Sequence, residues 1–175
     1  LIITIVARDR PGLVESLAAA ITRQGGNWLE SRMSRLGGQF AGILRVTVPP
    51  SNREKLLSDF KTLEAQGMRI ATLDDQAPVA PSASARFAEF TIVGHDRPGI
   101  VRQISQAFAR ADINVEDLST ECTSAPMSGE MLFHAHAKLQ IPATCDFSAV
   151  RFELEKIAAD LMVDLTFTEL GTPHH

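Results

Sequence analysis

Two short polar clusters hold most of the residues whose types and spacing could do chemistry. Asp9, Arg10, Pro11 and Gly12 stand together near the start of the chain, with Leu13 next. Asp96, Arg97, Pro98 and Gly99 repeat them, with Ile100 next. Each cluster follows an apolar run and precedes an amphipathic one, which places it in a strand-to-helix loop. Pro fixes φ and suits a helix's first turn, where its missing N–H is not needed. Gly lets another backbone or a ligand come close. The unpaired N–H groups of a first helical turn carry partial positive charge, which suits a carboxylate. Asp9 or Asp96, just ahead, offers an acceptor for an ammonium. A free amino acid carries both groups. Asn27 and Asn114 each open a second strand, expected next to the first in many split-βαβ layouts, and each could add an amide donor or acceptor. The plain alternative is a good turn and helix start, with Asn27 after Gly25-Gly26 suiting a tight turn. Duplication copies structural residues too, so the second copy strengthens the binding reading only a little.

Other candidate chemistry is thinner. His134 and His136 share a strand face and could chelate a metal, with Cys122 or Glu130 approaching across a hairpin; a polar outer face is the plain alternative. Cys122 and Cys145 are too far apart for a Cys-x-x-Cys site and too few for a disulfide framework. Reduced thiols and a cytoplasmic home are expected. Ser31, Ser34 and Ser119 have no His and acid at triad spacing. Asp74-Asp75 reads as a solvated turn, and Asp59 and Glu64 as helix-surface acids near Lys55 and Lys61. The expectation is therefore no catalytic residue, no metal and no cofactor.

The elements that must position the two loops come from a repeat. Asp9 to Val14 recurs as Asp96 to Val101, an offset of 87 residues that also relates Leu17 to Ile104, Ala20 to Ala107, Ile21 to Phe108, Asn27 to Asn114 and Glu30 to Asp117. A tetrapeptide alone could be chance; an in-register apolar pattern behind it is a duplication. Leu13, Leu17, Ala20 and Ile21 stripe one helix face. Gly37-Gly38 predicts a hairpin, and Leu56, Phe60 and Leu63 a second helix, before a strand at Met68 to Leu73. In the second copy Phe133, Ala135, Ala137, Leu139 and Ile141 alternate with polar residues, so one strand face is packed. Phe147, Val150, Leu154, Ile157 and Leu161 stripe its second helix. Both copies give βαββαβ order: α+β, two ferredoxin-like modules in tandem with antiparallel sheets and helices on one face. The expected boundaries are 1–75, a Pro-, Ala- and Ser-rich linker over 76–86, 87–170, and a tail over 171–175. Modules this small gain by burying sheet edges or helix faces, so the copies are expected to pack together or the chain to dimerise. The longer hairpin over residues 123–129 breaks the symmetry and is a candidate partner contact or a tolerated insertion.

Composition sets bounds on partners. The 175 residues are 45% hydrophobic and 22% charged, enough apolar material for packed cores. No window approaches the roughly 18 apolar residues of a membrane span. The net charge of −4 and the interspersed acids leave no basic cluster for direct nucleic-acid binding. The chain starts at Leu1, so a preceding leader stays open.

A strand, Asp-Arg-Pro-Gly-[Leu/Ile]-Val, an amphipathic helix and an Asn-started strand in βαββαβ order resemble the ACT domain over nearly the whole chain. A free-standing tandem pair, with the segment from Asn27 to Phe40, is similar to the glycine cleavage system transcriptional repressor family. The resemblance implies amino-acid sensing at an interface between ACT modules. It places the ligand contacts at Asp9, Arg10, Pro11, Gly12, Leu13 and Asn27, and at Asp96, Arg97, Pro98, Gly99, Ile100 and Asn114. In some amino-acid-binding members the loop carries a His and an Asn; the matching positions here are Ala7 or Gly94 and Asp9 or Asp96, which leaves the ligand's identity open. The resemblance further implies a non-enzymatic regulator that responds to glycine or a similar small amino acid and acts through a protein partner such as a transcriptional activator. The alternative it implies is a regulatory fragment of an enzyme, such as a formyltetrahydrofolate deformylase or a uridylyltransferase. A third reading, an acylphosphatase-like anion site, would use Arg10 and Asn27.

Overall fold

The apolar periodicities close into two separate βαββαβ units. The computed structural model describes residues 1–75, 86–125 and 129–170. The chain divides into two compact units, residues 1–79 and 80–175. The first contains β1 (Ile2–Arg8), α1 (Leu13–Arg23), β2 (Asn27–Leu36), β3 (Gln39–Thr47), a 3-10 turn (Pro50–Asn52), α2 (Arg53–Ala65) and β4 (Met68–Leu73). The second contains β5 (Arg86–His95), α3 (Ile100–Arg110), β6 (Asn114–Ser124), β7 (Met131–Ile141), α4 (Phe147–Leu161) and β8 (Val163–Leu170). The expected linker lies outside the described residues apart from Arg86, which opens β5 instead.

Each unit holds one antiparallel four-stranded sheet, ordered β2-β3-β1-β4 and β6-β7-β5-β8. The second strand is thus not beside the first, as the layout of the Asn residues had suggested. β3 or β7 lies between them, because the hairpin joins the second strand to the third and the helix crossover leaves the central place to the first. Both edge strands carry a register shift at the same place, Trp28/Glu30 and Val115/Asp117, so the duplication preserved a bulge that apolar spacing does not reveal.

One face of each sheet is covered by the two helices. In the first unit Leu13, Leu17, Ala20 and Ile21 of α1 and Leu56, Phe60 and Leu63 of α2 are buried against Ile3, Ile5, Leu44 and Val46. In the second, Ile100, Ile104, Ala107 and Phe108 of α3 and Val150, Leu154 and Leu161 of α4 meet Phe90, Ile92, Ala137, Leu139 and Phe167. Phe90 and Phe108 meet edge to face, ring centres 5.2 Å apart. Burying a Leu or Phe side chain contributes about 1.5–3 kcal/mol, so these facing stripes hold helix to sheet. Among the described residues no helix is long and apolar enough to cross a membrane.

Candidate functional site

Both loops are built alike. After β1, the Asp9 N–H donates to the Gly38 carbonyl (2.9 Å); after β5, the Asp96 N–H donates to the Met131 carbonyl (3.0 Å). Each loop is thereby fastened to the hairpin joining the next two strands. Gly12 (φ 90°) and Gly99 (φ 95°) then adopt left-handed conformations and serve as the N-caps of α1 and α3. Their carbonyls accept from the Ser16 and Gln103 N–H groups at 2.9 and 3.0 Å. The prolines accordingly precede the caps, and the helices begin at Leu13 and Ile100 rather than at Pro11 and Pro98. A residue placed two before the helix still fixes the turn, but it does not occupy the first turn itself. No side chain caps either helix, which leaves first-turn N–H groups open in the turn that follows the Asp.

The loop aspartates find different partners at equivalent positions. In the first unit Arg35 of β2 places its Nε 3.0 Å from Asp9 Oδ2. In the second the residue 87 positions on is Cys122 of β6, and its thiol hydrogen-bonds to Asp96. Loss of hydration, the Asp96 charge and that hydrogen bond push the Cys122 thiol above its ordinary range. The second loop also has no acidic residue in the first turn of its helix, whereas Glu15 stands in that of α1. Arg10 is tied back to the Gln66 carbonyl at 3.4 Å. Sequence reasoning overlooked Arg35 and Cys122. The signal was available in the 87-residue offset once the hairpin had brought the end of the second strand to the loop.

Asn27 and Asn114 are not at the loops. β2 runs parallel to β1, with Asn27 paired to Thr47 and Leu36 to Gln39. The loop lies at the Leu36 end, so Asn27 is roughly 30 Å away, nine strand steps of about 3.3 Å. Asn114 likewise pairs with Gln140 at the far end of β7, and its Nδ2 reaches Glu116 Oε1 at 3.2 Å. Arg10 and Asn27 therefore do not converge, which removes the geometry that an acylphosphatase-like site needs. Ala7 and Gly94, the positions that match a loop His in some ACT domains, have no room for one. Ala7 is buried, and a Cβ on Gly94 would lie 2.4 Å from Val163 Cγ1.

The remaining candidates disperse. His134 and His136 share the outer face of β7, and His134 Nε2 lies 3.0 Å from Thr123 Oγ1. Cys122 pairs with Phe133 and so faces the helix side, away from both imidazoles. No group of three His, Cys, Asp or Glu side chains able to hold a metal occurs among the described residues. Asp59 pairs with Arg23 at the end of α1 (3.4 Å) and with its C-cap Gln24 (2.8 Å) instead of the neighbouring lysines. Asp74 and Asp75 are exposed, as a solvated turn implies, and pair at the surface with Arg53 and Arg45. Residues 126–128 of the long hairpin lie outside the described residues.

Beneath α3 the second unit has an apolar pocket, lined by Val101, Phe108, Val115, Leu118, Thr120 and Phe133 among others. Its walls come from the helix face of β6, the same face that carries Cys122.

Family models described as ACT domain match residues 1–71 and 89–138. No curated protein matches the chain. Among solved structures, an unknown protein from Galdieria sulphuraria superposes with a TM-score of 0.83 at 26% identity, covering 97% of each chain. A candidate glycine cleavage system transcriptional repressor superposes at 0.65 and 22% identity, covering 98% of this chain and 96% of that one.

Proposed function

We propose, from the premise that this chain belongs to the ACT-domain family, that it is a non-enzymatic regulator which binds a small amino acid and passes the signal to a protein partner. The observation that carries this reading is the doubled loop, in which an aspartate comes three residues before the glycine N-cap of a helix with open N–H groups in each unit. Those two features complement the ammonium and carboxylate of one zwitterion. The same architecture occurs over nearly the full length of a candidate glycine cleavage system transcriptional repressor. The partner is a transcriptional activator, through which the chain controls transcription. The net charge of −4 fits action without direct nucleic-acid contact.

The asparagines enter this reading through a second copy of the chain. β2 and β6 are edge strands, each at least ten residues long. Antiparallel pairing of one edge with the same edge of another copy sets the start of one strand beside the end of the other. Asn27 or Asn114 of one chain then reaches the loop of its neighbour, and a homodimer completes the site.

Titration calorimetry with glycine, alanine and serine tests the proposal. Heat of binding with a thermal upshift is expected. Absence of both at millimolar concentration, with these and with every other amino acid, removes the sensor reading. Sedimentation equilibrium tests the dimer, and a monomer with ligand bound would remove the role given to the asparagines.

A further inference from the structure

The two units differ where the duplication would make them equal. On the helix face of the edge strand, the first unit carries Trp28, Ser31, Met33 and Arg35; the second carries Val115, Leu118, Thr120 and Cys122 at the matching positions. Trp28 and Met33 pack on the first core. Met33 lies so close over β3 that a Cβ on Gly42 would sit 2.4 Å from its Cγ. In the second unit Val115 and Thr120 are shorter, and the apolar pocket opens in their place. Its cavity volume is about 40 Å³, and its mouth is open. Val101 (46% exposed) and Leu118 (52% exposed) leave apolar surface open to solvent at the pocket.

Charge follows the same division. Asp9 already has a cation in Arg35, whereas Asp96 faces only a thiol among the described residues. Thr120, in the pocket wall, and Cys122, on Asp96, are two residues apart on one strand face. The pocket is therefore roughly 7 Å from the carboxylate's contact. An amino acid held by its ammonium at Asp96 has its side chain within reach of that pocket. Glycine has nothing to place there.

We infer that the second unit alone is the amino-acid receptor, that its ligand has an aliphatic side chain seated beneath α3, and that the first unit is a filled, ion-paired copy. This rests on the proposed sensor function and narrows it to one loop and one ligand class. Each methylene taken from water into such a pocket strengthens binding. Leucine or valine should bind at least tenfold more tightly than glycine.

The test is calorimetry on the full chain with glycine, valine and leucine, for the parent and for Asp96→Asn and Thr120→Met. One aliphatic ligand per chain is expected, weakened at least tenfold in each variant. Circular dichroism checks that both variants fold. Thiol alkylation of the unmutated protein reads the same site independently, since leucine should slow modification of Cys122. Two ligands per chain, glycine as tight as leucine, binding unaffected by Asp96→Asn, or no protection of Cys122 by bound leucine would each overturn the inference while leaving the sensor reading in place. Silence with every amino acid would instead remove the sensor reading, and this inference with it.

Discussion

Loss of hydration raises the Cys122 thiol's pKa, and the neighbouring Asp96 carboxylate raises it further through its charge and by accepting from the thiol. The thiolate is the nucleophile in alkylation, so Cys122 should react slowly near neutral pH, with its rate profile displaced upward from an ordinary thiol. Asp96→Asn removes a charge that opposes ionisation. It should move the profile back down and speed alkylation near neutral pH. A Cys145→Ser background keeps the measurement to one thiol, because Cys145 is the other cysteine. An unchanged profile would mean that the Asp96 contact does not persist in solution. Backbone and packing at the same loop give a second test. A Cβ at Gly94 has no room beside Val163, so Gly94→Ala should cost about 1–3 kcal/mol through overpacking. Gly99→Ala instead meets the left-handed φ in open surroundings, the nearest atom being Gln103 Nε2 at 3.9 Å, and should cost about 1–2 kcal/mol from conformation alone. Urea melts read both costs, and Val163→Ala should relieve Gly94→Ala only in part, because the Val163 Cβ and Cα would still lie 2.7 and 2.8 Å from the new methyl. No neighbouring truncation should rescue Gly99→Ala. The loop's Asp, Pro and Gly were legible in the sequence because they are adjacent there. Arg35 and Cys122 were not, because only strand register brings residues 26 positions away onto the aspartate.

Helix starts separate the elements that hold the fold from those that present the loops. α1 and α3 begin on bare glycine caps, while α4 begins on Asp146, whose Oδ1 accepts from the Ser148 and Ala149 N–H groups at 3.0 and 3.1 Å. Asp146→Ala should therefore cost about 1 kcal/mol, read as a lower midpoint in a circular-dichroism melt. A variant as stable as the parent would show that α4 is held by its buried stripe alone. Periodicity made every helix stripe and the Gly37-Gly38 hairpin readable in advance. It did not tell which strand would become the sheet's centre, since neighbours in sequence need not be neighbours in the sheet. That one unknown misplaced Asn27 and Asn114. Their distance from the loops follows from β2 and β6 being edge strands, and no property of the asparagines themselves reveals it.

At the scale of the whole molecule, the duplication produced two hydrophobic clusters that share no residue. Trp28 is the chain's single tryptophan, there is no tyrosine, and it packs on the first cluster. Its fluorescence therefore reports on the first unit, while far-ultraviolet dichroism reports on both. Leu17 and Leu154 are each fully buried, one in each cluster. Truncating either to Ala removes buried contacts and leaves a cavity, at a cost of about 2–5 kcal/mol. Leu17→Ala should shift the Trp28 unfolding curve to lower urea. Leu154→Ala should leave that curve in place and lower only part of the dichroism transition, separating the two probes. A Leu154→Ala protein whose fluorescence and dichroism midpoints fall together would show that the units unfold as one. The division of labour inferred for the two loops would then require that a ligand on the second unit stabilise the first by the same amount. Measuring the Trp28 curve in saturating leucine completes the experiment. In a chain whose units melt separately, leucine should raise the dichroism midpoint of the second unit and leave the tryptophan midpoint where it was.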